Sequence, residues 1–172
     1  LEELAPLLRD VPPIEGRLQS VANDLGLQIF VDFAHTPDAL AHSLDACKEI
    51  CRGKVIALFG CGGNRDAAKR PLMGRISCQR ADHTIITSDN PRNEEPETIC
   101  RQIAQGVLPN GSYDIVVDRR EAIQRALEIA APGDLILIAG KGHETSQIFA
   151  HRTIEFDDRQ IVTELCQEAL HA

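Results

Sequence analysis

The chain has 172 residues, 43% of them hydrophobic, enough to bury the core of one compact domain without disulfide or metal staples. A formal net charge of −8 repels polyanions and excludes nucleic acid or an anionic membrane as a partner for the surface as a whole. No stretch nears the roughly 18 consecutive apolar residues of a membrane span, and no segment has the basic, apolar, small-residue series of a secretory signal, so a cytoplasmic setting is expected.

The six cysteines, Cys47, Cys51, Cys61, Cys78, Cys100 and Cys166, form no CxxC pair, and reduced thiols are expected. The chain begins at Leu1 rather than Met, and a piece of a longer polypeptide is expected. Residues 1–8 read as a helix, set apart by a linker at Val11-Pro12-Pro13. Residues 1–13 are therefore assigned to whatever precedes the domain, and 14–172 to the domain itself.

From residue 27 short β-branched runs alternate with longer segments of helical period, the pattern of a mainly parallel sheet covered by helices. Strands are predicted at 27–33, 55–59, 83–87, 113–117 and 135–139. Thr36 can cap a helix that has Pro37 in its first turn and Leu40, Leu44, Cys47 and Cys51 on one face. Helices are predicted near 70–80 and 96–108. Asp118 with Glu121 suits the start of another, which buries Ile123, Ala126, Leu127 and Ala130 before Pro132-Gly133 stops it. A hairpin at 147–149 and 152–156 leads to a last helix, capped by Asp157 or Asp158, with Ile161, Leu165, Cys166 and Ala169 facing in. The fold class is thus α/β: a Rossmann-like open, mainly parallel sheet with helices on both faces and a C-terminal β-hairpin plus helix.

In such a sheet ligands bind beyond the carboxyl ends of the strands. Four strands end there in polar or glycine-rich segments of odd composition, at 32–35, 60–66, 88–92 and 139–144. The glycines admit two readings, tight turns alone or close approach to a ligand. The segment from Gly60 lacks the Gly-Lys-Ser/Thr ending of a nucleotide P-loop. Neither Gly60-x-Gly62 nor Gly140-x-Gly142 has the small residue that a dinucleotide fingerprint requires three positions on, because Arg65 and Thr145 stand there. Arg65, Lys69, Arg70, Arg75 and Arg80 against a single acid, Asp66, make a basic island, read either as an anion site or as a solvated helix face.

Asn90-Pro91-Arg92 is more telling, because proline stiffens the loop and lets the Arg92 guanidinium stand out as a planar fork for a carboxylate. Arg65 could supply a second fork, and Asp89 and Glu144 are acids available to an ammonium group. Two arginines and two acids describe a pocket for a zwitterion such as an amino acid; the alternative is a set of mutually satisfied surface ion pairs. The six histidines, His35, His42, His83, His143, His151 and His171, lack the companions of a zinc site, and no metal site is expected. His35 and His143 remain as polar or stacking groups on the rim.

At these residues the chain resembles the C-terminal domain of the Mur ligases, in particular those that add 2,6-diaminopimelate. The resemblance runs from Gly16-Arg17 through VDFAHTPDAL, FGCGGNRDAAKRPLMG, TSDNPRNEEP and AGKGHETSQI to Phe156-Asp157-Asp158. It implies that Arg65, Asp89, Asn90, Pro91, Arg92, Gly140 and Glu144 line a pocket for meso-diaminopimelate. The DNPR loop is the family feature associated with that amino acid rather than lysine. It further implies that Arg17, Asp32 and His35 reach ATP bound on a preceding central domain, to which residues 1–13 would belong.

Four positions depart from the family pattern. Phe33 replaces a tyrosine, Asn64 an aspartate, Ala67-Ala68 a lysine-glycine pair, and Thr145 an acid. The resemblance places the catalytic ATP loop, the Mg2+ ligands and the site for UDP-MurNAc-L-Ala-D-Glu in domains upstream. No catalytic residue is therefore expected in residues 1–172, and the chain alone is predicted to be inactive in peptidoglycan biosynthesis. The alternatives are a lysine-adding or folylpolyglutamate-type ligase domain, or a stand-alone amino-acid-binding module.

Overall fold

The computed structural model describes residues 14–170; the predicted helix at 1–8 and the linker lie outside them. The elements are β1 (Gln19–Ser20), β2 (Gln28–Asp32), α1 (Pro37–Ile50), β3 (Val55–Phe59), α2 (Lys69–Arg80), β4 (His83–Ile86), α3 (Pro96–Ala104), β5 (Tyr113–Ile115), α4 (Arg119–Ile129), β6 (Leu135–Ala139), β7 (Ser146–Ile148), β8 (Thr153–Glu155) and α5 (Asp158–Leu170).

β3, with sequence VIALF, and β6, with LILIA, are buried at every position, as strands covered on both faces must be. They lie side by side at the centre of a six-stranded sheet of order β1-β2-β6-β3-β4-β5. All pairings are parallel except that of β1, which runs antiparallel to β2. Alternate residues feed two cores. Val55, Ala57, Phe59, Leu135 and Leu137 pack under α1, α2 and α3 with Leu40, Leu44, Met73 and Ile103. Ile56, Leu58, Ile136 and Ile138 pack on the opposite face under α4 and α5 with Ile123, Ala126, Val162 and Leu165. Each such Leu or Ile contributes about 1.5–3 kcal/mol by leaving water.

The register aligns the rim. Asp32 and Phe59 both pair with Ala139, so β2, β6 and β3 end level, and Phe59 in turn pairs with Ile86 of β4. Every loop beyond this line opens on the same edge, and two of the helices that follow the strands begin at a side-chain cap. Thr36 caps α1 by accepting from the Ala39 N–H, and Asp118 caps α4 by accepting from the Glu121 N–H.

Several expectations are corrected. The strand predicted at 113–117 stops at Ile115, where β5 is a short edge that pairs, among the described residues, with β4 alone. α3 ends at Ala104 rather than 108: beyond it the bonding tightens, with the Gly106 N–H on the Ile103 carbonyl and the Val107 N–H on the Ala104 carbonyl. In α5 Val162 is buried and Ala169 is exposed. Asp157 alone performs the capping, its carboxylate accepting from the Arg159 N–H at 2.9 Å and its carbonyl from Ile161 at 3.0 Å. Asp158 is the first residue of α5 and is wholly buried.

Candidate functional site

Beyond the ends of β2, β3, β4 and β6 lies a cavity of about 470 Å3 lined from all four loops. Phe33, His35 and Thr36 come from the β2 loop, and Gly60 to Gly62, Arg65 and Asp66 from the β3 loop. Asp89, Asn90 and Arg92 come from the β4 loop, and Gly140 and Glu144 from the β6 loop; Lys69 of α2 adds a cation. Of the seven residues expected at an amino-acid pocket, Arg65, Asp89, Asn90, Arg92, Gly140 and Glu144 therefore meet. Pro91 is buried and lies on the neighbouring cavity, shared with Phe149 and Arg152.

The β3 and β4 loops are laced together. The Gly63 N–H donates to the Asn90 carbonyl at 2.9 Å, and the Asn93 N–H to Asn64 Oδ1 at 3.1 Å. Arg92 is held from two sides: its N–H donates to the Ile148 carbonyl at 3.0 Å, and Nη1 donates to the Gly63 and Asn90 carbonyls at 3.1 and 3.3 Å. Asn64 and Arg92 both have left-handed backbone, with φ of 53° and 52°. Asn tolerates that region readily, which gives the asparagine at position 64 a local reason.

Among the described residues neither Arg65 nor Arg92 is ion-paired to a carboxylate. Arg92 bonds only to carbonyls, which fix its fork without neutralising it, and Arg65 is exposed with one 3.5 Å contact to the Asn64 carbonyl. Two guanidinium groups thus border one cavity with their charge uncompensated. Glu144 borders the same cavity, with Oε2 accepting from Asn90 Nδ2 at 2.8 Å. Asp89 is almost buried and uses one oxygen on the Asn90 N–H, while the other abuts Gly140.

The basic island divides. Arg70 is buried in a two-armed pair with Glu94 at 2.8 and 2.9 Å and also donates to Gln102. That hydrogen bond, aided by the Asn64 N–H, holds the Glu94 carboxyl below the usual glutamate range. Arg80 pairs with Asp45. Only Arg65 and Lys69 of the five border the cavity, and Lys69 donates to the His35 carbonyl at 2.7 Å. Cys61 also borders it, but burial pushes its thiol up to about 12.

Of the three residues expected to reach nucleotide, His35 is exposed on the cavity rim and Arg17 is exposed beside it. They flank Phe33, whose ring centroid lies 4.6 Å from that of His35, 5.4 Å from that of His143 and 5.2 Å from Arg17 Cζ. This cluster gives His143 a place. It is held by close backbone contact: a Cβ on Gly16 would strike Gly142 and His143, and one on Gly142 would strike Phe33. Asp32 behaves differently from its expectation. It is buried and does not border the cavity, because its carboxylate accepts from the Leu18 and Ala34 N–H groups at 2.7 and 2.8 Å and from Ser43 Oγ at 3.1 Å.

Two buried cations escaped sequence reasoning, Lys141 and Arg119. Arg119 pairs with Asp158 and donates to the Ser88 and Ala139 carbonyls, the residues just before Asp89 and Gly140. A larger apolar cavity of about 500 Å3 lies among Leu25, Leu27, Leu127 and Leu165, away from these groups.

Residues 16–142 match the family described as Mur ligase, glutamate ligase domain, and the chain belongs to that family. It is 43% identical over 170 residues to the UDP-N-acetylmuramoyl-L-alanyl-D-glutamate--2,6-diaminopimelate ligase of Clostridium botulinum, covering 98% of this chain and 35% of that protein. To the ligase of the same name from Clostridioides difficile it is 47% identical over 152 residues, 88% of this chain and 31% of that protein. A solved structure of a ligase with this name superposes with a TM-score of 0.87 at 39% identity, covering 98% of this chain and 35% of that one. The fold alone is shared with the UDP-N-acetylmuramate-alanine ligase of Thermotoga maritima, at a TM-score of 0.62, 15% identity and coverage of 98% of this chain and 34% of that one. The chain spans about a third of the length of the curated relatives it matches.

Proposed function

We propose that this chain is the amino-acid-binding, ATP-closing domain of a ligase that adds meso-diaminopimelate to UDP-MurNAc-L-Ala-D-Glu in the cytoplasm, during peptidoglycan biosynthesis. Residues 14–172 form that domain, and residues 1–13 belong to the central ATP-binding domain and linker before it. The observation that carries the reading is the pair of uncompensated guanidinium groups, Arg65 and Arg92, bordering one cavity with Glu144. Diaminopimelate is dipolar at both ends. The arginine forks take carboxylate oxygens at one end, Glu144 and the oxygens of the Asp89–Asn90 segment receive the ammonium there, and the other amine is left to react.

In the complete enzyme ATP phosphorylates the precursor's carboxylate. The held amine attacks the acyl carbon, the C–N bond forms as the C–O bond to phosphate breaks, and the amine proton is released. This chain supplies no group to that chemistry. It contributes orientation, worth up to about 7–11 kcal/mol for a well-placed pair of reactants, and Arg17, His35 and Phe33 form the surface that closes on nucleotide. Mg2+ belongs with ATP on the preceding domain, where it offsets phosphate charge.

The test is Arg92→Lys in the full-length ligase, which keeps the charge but loses the planar fork. KM for diaminopimelate should rise about tenfold or more while KM for ATP stays within about twofold. Unchanged amino-acid kinetics, or lysine accepted as readily as diaminopimelate by the natural enzyme, would overturn the assignment.

A further inference from the structure

Lys141 follows the cavity-lining Gly140, yet its own side chain is wholly excluded from solvent and does not border the cavity. A lysine ammonium has three N–H donors, and all three are used here. They reach Asn90 Oδ1 at 3.3 Å, Glu144 Oε2 at 3.2 Å and the Ser146 carbonyl. Two of these three partners line the cavity.

The bonds close a ring. Asn90 Nδ2 donates to the same Glu144 Oε2 at 2.8 Å, and Asn90 Oδ1 accepts a second bond from the Ile148 N–H at 2.9 Å. The amide can therefore stand only one way round, with its oxygen toward Lys141 and its nitrogen toward Glu144. Glu144 Oε2 carries two donors, while Oε1 has none among the described residues. A buried charge persists only where it is paired, so removing this ammonium strands Asn90 Oδ1 and frees the Glu144 carboxylate to turn.

From this we infer that Lys141 is a positioning residue that sets affinity for the amino acid by orienting Asn90 and Glu144, without touching the ligand. The inference rests on the amino-acid-binding reading above. It separates Lys141 from a general structural cation such as Arg119, whose partners are one buried carboxylate and the Ser88 and Ala139 carbonyls.

The experiment is Lys141→Met in the full-length ligase, beside Glu144→Gln, the double variant and Arg92→Lys. Lys141→Met should raise KM for diaminopimelate about tenfold or more, with KM for ATP within about twofold, as loss of a charge-assisted bond predicts. Because Lys141 acts in part through Glu144 and in part through Asn90, the double variant should be worse than Glu144→Gln alone but fall short of the product of the two effects. An unchanged KM, or kcat and both KM values worsening together, overturns the inference. If Arg92→Lys raises KM for diaminopimelate and Lys141→Met does not, only the role of Lys141 falls; if neither does, the binding reading falls with it. Should Lys141→Met be insoluble, Lys141→Gln is measured in its place. Failure of both to fold overturns the positioning role, since the ammonium then serves the fold.

Discussion

Arg119 and Asp158, 39 positions apart in sequence, meet in a two-armed ion pair of 2.8 Å on each arm, with neither side chain exposed. The pair joins the starts of α4 and α5. Through the bonds from Arg119 to the Ser88 and Ala139 carbonyls it also fixes the start of the loop after β4 and the end of β6.

Breaking such a pair from one side leaves a charge in the interior. Asp158→Ala should therefore destabilise the chain by about 3–5 kcal/mol in urea denaturation. Replacing both partners, Arg119→Met with Asp158→Leu, should cost less than the single change, though not nothing, because the Ser88 and Ala139 carbonyls lose their donor. A single variant within about 1 kcal/mol of the natural chain would contradict this account.

Gly63 governs how closely the β3 and β4 loops approach. A methyl group there would strike the Pro91 carbonyl, which is backbone and cannot swing aside. Gly63→Ala should cost about 1–3 kcal/mol of stability. It should also disturb the contact from Arg92 Nη1 to the Gly63 carbonyl, so KM for diaminopimelate should rise in the full-length ligase. Kinetics equal to the natural enzyme would show that the loops tolerate the displacement and that their lacing does not set the fork.

What could be read in the amino-acid order follows from range. The unbroken apolar runs VIALF and LILIA are local signals, so the central strands and the rim of loops beyond them were legible; the family resemblance supplied the seven proposed pocket residues, six of which border one cavity. The buried charges were not legible. Lys, Arg and Asp are placed outside by default unless paired, and the carboxylates that pair with Arg119 and Arg70 stand 39 and 24 positions away, while Lys141 joins the nearby Glu144 to Asn90, 51 positions away. Asp32 misled for the same reason: beside His35 it looks like a rim group, but its bonds to Leu18 and Ser43 commit it to the fold. β1 spans two residues, too few to show a period.

The Arg70–Glu94 contact predicts an acid limb in the stability profile. The Arg70 hydrogen bond, then the Asn64 N–H, hold the Glu94 carboxyl below its ordinary value. Its contribution is full above the unfolded glutamate pKa of about 4.3 and is lost as pH falls through the lower folded value. Urea midpoints of the natural chain and Glu94→Gln should thus differ by a constant amount at neutral pH and converge as pH drops below about 4. A gap that stays constant through the acid range would assign the difference to packing instead.

The thiols give a test of the interior near the cavity. Burial, foremost, pushes Cys47, Cys61 and Cys100 up to about 12. The thiolate is the nucleophile, and at about pH 8 such groups are ionised to only about one part in ten thousand. Cys51 and Cys78 are only partly buried. Brief treatment with iodoacetamide, read by peptide mass spectrometry, should label Cys51 and Cys78 first and spare Cys47, Cys61 and Cys100. Cys61 is the decisive position, because it borders the cavity while its sulfur faces Met73 Sδ at 3.6 Å. Its protection should therefore persist with no amino acid added, and labelling at the rate of Cys51 would mean that the floor of the cavity is open to solvent.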